Sequence, residues 1–285
     1  MSDIQEAMRS RAKELLESGE VNAVIGWEAG RFENQTTPLI TSQAAKTQRL
    51  VFNEYCVNNL GKYPRDLTAK GKVAIFARGC ESRAIIRLLS DEVIKRENVY
   101  IIGIGCPGMR DRTTGELLKK CAECRHGDPV IYDEMLGEPQ AKPATQERFA
   151  EIQKIEALPR AEREAYFTNA FSKCIRCYAC RNVCPCCTCR QCFVDQRREG
   201  WLGKQNNIAE NRFYGLTRVM HVGDRCIECG ECERVCPMDL PLMSLNRKVI
   251  YDINNLFGEY ETALSLDEPP SALTTYKVDD VEEFM

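Results

Sequence analysis

The chain has 285 residues, a net charge of −3 and a mean hydropathy of −0.39. The charge provides no strong basic field, which argues against a nucleic-acid partner, and no stretch approaches the roughly 20 apolar residues that a membrane helix needs. The first twenty residues mix both charge signs without an apolar core, so no secretory signal is predicted. The seventeen cysteines are therefore expected in a reducing, cytoplasmic compartment, where thiolate-bound metal is commoner than disulfides.

The first half of the chain has the pattern of an α/β domain. The predicted elements are a helix over Asp3–Ser18, a strand over Val21–Trp27, a helix over Thr41–Asn59, a strand over Lys72–Ala77, a helix over Arg83–Lys95 and a strand over Val99–Gly105. The last three form a strand–helix–strand unit of about 34 residues, and such a crossover requires a parallel sheet. We therefore expect an N-terminal α/β domain over residues 1–137.

The second half is predicted to be mostly α-helical. Pro139 and Pro143 mark a linker, and helical patterns follow over Thr145–Ala157, Arg160–Ser172, Asn207–Val222 and Leu240–Leu256. The predicted segments are a helical linker over 138–170, a helical cysteine-rich domain over 171–262 and an acidic tail over 263–285, expected to be solvated. The fold class is therefore α+β and multidomain, with a parallel sheet in the first domain and helices in the second.

Two cysteine runs in the helical domain share one spacing, C-x₂-C-x₂-C-x₃-C-P, which is the ferredoxin spacing for [4Fe–4S] clusters. The first run contains Cys174, Cys177, Cys180 and Cys184, and the second run contains Cys226, Cys229, Cys232 and Cys236. A short loop with cysteines at every third position wraps three irons of a cubane. The fourth thiolate must then approach from another part of the chain.

In two-cluster ferredoxins the fourth cysteine of each run binds the cluster of the other run. Cluster 1 is then assigned to Cys174, Cys177, Cys180 and Cys236, and cluster 2 to Cys226, Cys229, Cys232 and Cys184. Structural zinc sites also use C-x₂-C pairs, but zinc explains neither the triple runs nor the proline after each. The sequence thus predicts two [4Fe–4S] clusters and a role in electron transfer.

Further cysteines follow the first run directly, at Cys186, Cys187, Cys189 and Cys192. Three of them form a C-x-C-x-x-C set that could supply ligands to a third iron–sulfur cluster, with a fourth ligand from Cys186 or from the N-terminal domain. A local zinc site and spare reduced thiols are the alternatives.

The N-terminal domain has its own group of cysteines. Cys80 and Cys106 each follow a predicted parallel strand, at the edge where α/β sheets place ligands, and Cys121 and Cys124 form a C-x₂-C pair. One hypothesis joins these four in a metal site. A second lets Cys121 and Cys124 complete the site of Cys187, Cys189 and Cys192, and a third makes Cys80 and Cys106 small core residues.

Gly79 and Cys80 open the helix after a predicted strand, so they mark a crevice for a flavin or a cluster. A helix N-terminus after a strand is an anion site, but the segment has one glycine and no G-x-G-x-x-G pattern. As a nucleotide signal it is weak. The two histidines, His126 and His221, are not spaced as ligands or as general bases.

Three segments carry a family resemblance: RGCESRAII from Arg78, NVYIIGIGCPGM from Asn98 and CIRCYACRNVCPCCTCRQCFVD from Cys174. Together they resemble the beta-subunit family of deazaflavin-coenzyme hydrogenases and formate dehydrogenases, over about residues 21–260. The closest likeness is to members encoded beside heterodisulfide reductase-like flavoproteins. The paired runs also resemble the α-helical ferredoxin module of succinate dehydrogenase-type and heterodisulfide reductase-type subunits.

The resemblance implies a subunit that carries electrons between a catalytic dehydrogenase or hydrogenase subunit and a flavin-containing, heterodisulfide reductase-like partner. Archetypal family members bind FAD, so the alternative is a flavoprotein that itself oxidises or reduces a deazaflavin or nicotinamide coenzyme. This chain departs from the archetype in carrying a full second ferredoxin run. A redox or iron sensor is a third hypothesis, without a DNA-binding signature to support it.

Overall fold

A mixed five-stranded sheet organises the first half of the protein. The computed structural model describes residues 2–140, 147–269 and 271–275. The strands are β1 (Ala23–Ala29), β2 (Thr36–Thr41), β3 (Val73–Ala77), β4 (Val99–Ile104) and β5 (Glu134–Leu136), in the order β2-β1-β3-β4-β5. β1, β3, β4 and β5 pair in parallel, and β2 adds an antiparallel edge.

The helices of the first half cover and connect this sheet. They are α1 (Ser2–Glu17), α2 (Pro64–Leu67), α3 (Gly79–Ser90) and α4 (Lys119–Ala122), with 3₁₀ turns at Ala44–Arg49, Thr68–Lys70 and Arg96–Asn98. The predicted βαβ unit is confirmed as β3, α3 and β4. Every residue of β3 is buried, as expected of a central parallel strand with both faces covered.

Two features of this half differ from the sequence prediction. Strand β2 was not predicted, and the helix predicted over Thr41–Asn59 is wrong, because only the 3₁₀ turn at Ala44–Arg49 forms. The asparagines explain the irregular stretch: the side chain of Asn53 accepts from the Tyr55 N–H at 2.9 Å, and that of Asn59 accepts from the Gly61 N–H at 2.8 Å. Such local bonds compete with the helical backbone pattern.

The second half is helical, as predicted. It contains α5 (Ala150–Glu156), α6 (Arg160–Ser172), α7 (Ala179–Asn182), α8 (Ile208–Val222), α9 (Glu231–Arg234) and α10 (Leu242–Phe257), with a 3₁₀ turn at Phe193–Asp195. Asn207 caps α8 by accepting from the Glu210 N–H. Helix α6 packs closely on α8 at Gly215, where an added Cβ would lie 2.2 Å from the Phe171 ring. No helix among the described residues is long and apolar enough to cross a membrane.

The segment after α10 returns to the α/β domain. Ala263 is fully buried, and Arg83 of α3 donates to the Thr262 carbonyl at 2.7 Å. Arg87 lies 3.9 Å from Glu268. The beginning of the predicted acidic tail is therefore packed against α3, and its last ten residues, 276–285, lie outside the described residues.

A buried ion pair joins the two halves. Lys120 of α4 and Glu231 of α9 form a salt bridge with side chains 9% and 2% exposed. Burial opposes ionisation of Glu231, but Lys120 and Arg234 outweigh it and lower its pKa to about 2 from the usual 4.5. The carboxylate therefore stabilises the fold above about pH 4.5, and this contribution is lost as the pH falls towards 2.

We expect Glu231→Gln to lower the free energy of unfolding by about 3–5 kcal/mol at pH 7, because it leaves Lys120 buried without its counter-charge. Lys119→Met is the matched control, since that neighbouring side chain is 46% exposed where it pairs with Glu233. It should cost about 1 kcal/mol or less. Denaturant titration at pH 7 and pH 3 measures both; equal losses for the two variants would contradict the structural role of the buried pair.

Candidate metal centres

The two ferredoxin runs have the same backbone conformation. The second and fourth residues after the first cysteine are left-handed in each: Arg176 and Tyr178 have φ of 51° and 59°, and Glu228 and Gly230 have φ of 56° and 67°. A short helix, α7 or α9, then begins one residue later. Alternating left-handed turns aim successive backbone N–H groups inward, which builds a concave site for an anion. The sequence repeat is therefore a structural repeat.

The cysteines assigned to cluster 1 line a single cavity of about 520 Å³, which we call the first-run cavity. Cys174, Cys177 and Cys180 come from the first run, and Cys236 comes from the second. Apolar side chains surround them, among them Phe171, Met238 and Leu240. The crossed assignment thus corresponds to four thiols that face one space.

The cysteines assigned to cluster 2 form a second group. Asn246 of α10 points its amide nitrogen at the sulfurs of Cys226, at 3.6 Å, and Cys232, at 3.9 Å. Cys184 packs in the same buried cluster as Ile227 and Cys229. Burial raises the pKa of Cys226 to about 12 and that of Cys232 to about 12. These thiols are therefore protonated when free, and loading iron must release their protons.

Arg218 of α8 lies between the two groups. Its side chain lines the first-run cavity, is 4% exposed and donates to the Cys180 carbonyl at 3.3 Å. Its Nε and Nη1 atoms are buried and have no hydrogen-bond partner among the described residues. Buried cationic donors without partners require an anion nearby, and thiolate-ligated clusters beside Cys180 and Cys184 would supply that charge.

A third group lies at the carboxyl edge of the parallel strands, in a cavity of about 710 Å³ that we call the sheet-edge cavity. Cys80, Cys106, Cys121 and Cys124 all line it. Its charged lining residues are mostly cations, namely Arg78, Arg83, Lys120, Arg125, Arg148 and Arg247. Four soft thiol ligands in a cationic setting fit an anionic iron–sulfur cluster.

Arg78 is a buried residue in the wall of this cavity. It is 1% exposed, forms a two-point ion pair with Glu81 and lies 4.6 Å above the Trp27 ring. It also donates to the carbonyl of Cys56 at 2.6 Å. Cys56 is fully buried and does not lie on a helix. No sequence pattern identifies Arg78 as a core residue, because its charge predicts a surface position.

Backbone covers Gly79 of the proposed flavin crevice. A Cβ on this residue would lie 2.0 Å from the His126 carbonyl oxygen. Gly79 is thus required for the packing of the segment that carries Cys124. The donor set of this cavity, four thiols rather than a glycine-rich phosphate loop, fits a cluster better than the phosphates of FAD.

The cysteines of one predicted grouping line two different cavities. Cys121 and Cys124 line the sheet-edge cavity, whereas Cys187, Cys189 and Cys192 line another one. Among the described residues, no three His, Cys, Asp or Glu side chains converge closely enough to hold a single metal ion. A [4Fe–4S] cluster differs from a single metal ion, because its four thiolate ligands bind four separate irons.

The Tyr214 hydroxyl lies 3.3 Å from the Cys180 sulfur. Once Cys180 is a thiolate ligand the hydroxyl must donate, and hydrogen bonds to ligand sulfur stabilise the reduced, more negative cluster. We expect Tyr214→Phe to lower the reduction potential of cluster 1 on the order of 50 mV. A potentiometric titration followed by EPR measures this, with Tyr251→Phe on α10 as control; an unchanged potential would contradict the hydrogen bond.

Comparison with known proteins gives one matching domain family and several relatives. A family described as "4Fe-4S dicluster domain" matches residues 170–240. The chain is 22% identical to the F420-dependent formate dehydrogenase subunit beta of Methanocaldococcus jannaschii, over 88% of this chain and 90% of that protein. It is 20% identical to the F420-dependent formate dehydrogenase 1 subunit beta of Methanococcus maripaludis, over 66% and 73%.

One solved structure is also similar in part. It is the F420-reducing [NiFe] hydrogenase complex from Methanosarcina barkeri, matched at 16% identity over 39% of this chain and 42% of that chain, with a TM-score of 0.32.

Proposed function

We propose that this chain, as a member of a beta-subunit iron–sulfur family, relays electrons inside a larger oxidoreductase complex. It does so through three [4Fe–4S] clusters. Clusters 1 and 2 have the crossed ligands assigned above, and cluster 3 is held by Cys80, Cys106, Cys121 and Cys124. The observation that carries the proposal is the grouping of twelve cysteines around three adjoining sites. Each bound cluster would supply one-electron redox chemistry.

The three sites follow one another through the protein. Ile227, Glu228 and Cys229, which belong to the second run, form part of the wall of the sheet-edge cavity. Clusters 2 and 3 are therefore separated by little more than one loop. Cys180 packs against the buried cluster that contains Cys232, so clusters 1 and 2 also adjoin. This arrangement supports a linear order in which cluster 2 lies between the other two.

Fixed charges support the same arrangement. Arg247 bridges Glu123 at 2.5 Å and Glu228 at 3.2 Å, so it ties the sheet-edge segment to the second run. Arg148 also pairs with Glu228. These paired cations hold the two cluster-binding segments at a fixed separation, which an electron relay needs.

The names of the relatives suggest one end of the relay. Beta subunits of F420-dependent formate dehydrogenases suggest that this chain serves a complex linked to a deazaflavin coenzyme. We propose a catalytic dehydrogenase or hydrogenase subunit at one end and a flavin-containing, heterodisulfide reductase-like protein at the other. The two-electron chemistry is then supplied by these partners, and this chain splits it into single-electron steps.

The experiment is to purify the chain anaerobically and release any flavin by acid after bleaching the clusters. We expect a broad visible absorbance that dithionite bleaches, about twelve or more irons per chain and no stoichiometric flavin. The isolated chain should not reduce a deazaflavin coenzyme by itself. One flavin per chain together with that activity would overturn the relay proposal in favour of the flavoenzyme alternative.

A further inference from the structure

We propose that the loop after the first run binds a fourth iron–sulfur cluster, held by Cys186, Cys187, Cys189 and Cys192. The three clusters of the proposed function use twelve of the seventeen cysteines. Of the five that remain, Cys56 lies in the core of the α/β domain, and the other four line one cavity, which we call the loop cavity. This site is additional to the three clusters of the proposed relay, and its role as a branch rests on that relay.

The loop cavity resembles the other two in its lining, because cysteines line all three. Its thiols share the walls with six cationic side chains, Lys62, Arg65, Arg181, Arg190, Arg218 and Arg225, and one carboxylate, Asp195. A cavity with this lining is built for a group of substantial negative charge.

Unpartnered buried donors face the same space. Arg218 lines the loop cavity as well as the first-run cavity, and its Nε and Nη1 have no partner among the described residues. The Nε of Arg225 is likewise buried and unpartnered within the described part of the chain. Such donors are costly unless an anion accepts from them. Thiolates and bridging sulfides of a cluster are acceptors of that kind.

The loop is held in place by arginines from both halves of the protein. Arg65 of α2 donates to the carbonyl of Cys187 at 3.2 Å and to that of Cys189 at 3.3 Å. Arg181 pairs with Asp195 at 2.6 Å, just beyond the last cysteine. Because its backbone is clamped at both ends, the loop presents its thiols to the cavity instead of to solvent at random. Spare surface thiols would need no such clamp.

The position suggests a branch of the relay. Cys186 packs in the same buried cluster as the cluster 2 ligand Cys184, and Cys187 packs against that cluster. Further along the loop, Cys189 is exposed. A cluster here would therefore extend the path from cluster 2 to the protein surface beside α2, where a partner protein could exchange electrons.

The test is the triple variant Cys187→Ser/Cys189→Ser/Cys192→Ser, purified anaerobically, with Cys56→Ser as the matched control. We expect the triple variant to lose about four irons and four acid-labile sulfides per chain while clusters 1 to 3 keep their EPR signals. The control should retain all of its iron.

Loss of one zinc with no loss of iron would overturn the cluster and identify a zinc site, and loss of neither metal would overturn a metal site altogether.

The single variant Cys189→Ser guards against misfolding, because that residue is exposed. It should change or remove one cluster signal. If all signals stay unchanged in Cys189→Ser, the proposal is wrong. If only the loop cluster is absent, the unmodified chain contains about twelve irons. If the relay proposal is wrong, the unmodified chain contains fewer.

Discussion

Cys236→Ser is expected to remove the cluster bound by the first run, although Cys236 lies in the second. The physical reason is the first-run cavity, where Cys236 faces Cys174, Cys177 and Cys180. A cubane that lacks one thiolate is labile, so we expect a loss of about four irons per chain. Iron and sulfide assays with EPR of the dithionite-reduced protein measure the effect.

The sharpest form of this experiment compares pairs of variants. Cys236→Ser and Cys174→Ser should abolish one and the same EPR signal, and Cys184→Ser and Cys226→Ser should together abolish a second one. Cys56→Ser, buried away from the cavities, controls for the loss of a core thiol. If Cys236→Ser matches Cys226→Ser instead, the ligands are not crossed and the assignment is wrong.

Cys121→Ser/Cys124→Ser is expected to remove cluster 3 and to stop electron transfer through the α/β domain. Both residues line the sheet-edge cavity with Cys80 and Cys106, and the two thiols left behind are too few to hold a cubane. We expect a loss of about four irons per chain, with the signals of clusters 1 and 2 retained. Rapid-mixing reduction by a partner subunit should then stall at an incomplete bleaching of the visible absorbance.

The control for this double variant is Cys80→Ser alone, which should give the same loss of iron if the four residues share one cluster. Retention of iron in Cys80→Ser but not in the double variant would assign Cys121 and Cys124 to another site. Full retention in both would leave the sheet-edge cavity without a cluster and would break the proposed relay at cluster 2.

Local patterns predicted much of this fold. The apolar runs that became β3 and β4, and the helical periodicity of α3, identified the βαβ unit because burial and period are local properties of a sequence. Strand β2 was missed because its sequence, TTPLIT, contains Pro38 and only partly alternates. It forms at the edge of the sheet, where a proline is tolerated.

The candidate sites also differ in how far local sequence patterns predict them. The runs at Cys174 and Cys226 were recognisable because three ligands of each cluster come from one loop. The sheet-edge group was left open among three hypotheses, because Cys80, Cys106 and the Cys121–Cys124 pair meet only when the strands align. Arg218, Asn246 and Tyr214 were missed entirely, since a hydrogen bond to a distant sulfur has no local sequence signal.

The most direct measurement is an iron anomalous-difference map from crystals of the anaerobically purified chain. It should show a four-iron group in the first-run cavity bonded to Cys236, a second bonded to Cys184, and a third between Cys80, Cys106, Cys121 and Cys124. Iron bonded to Cys236 together with Cys226, Cys229 and Cys232, or a sheet-edge cavity that contains flavin and no iron, would contradict the relay.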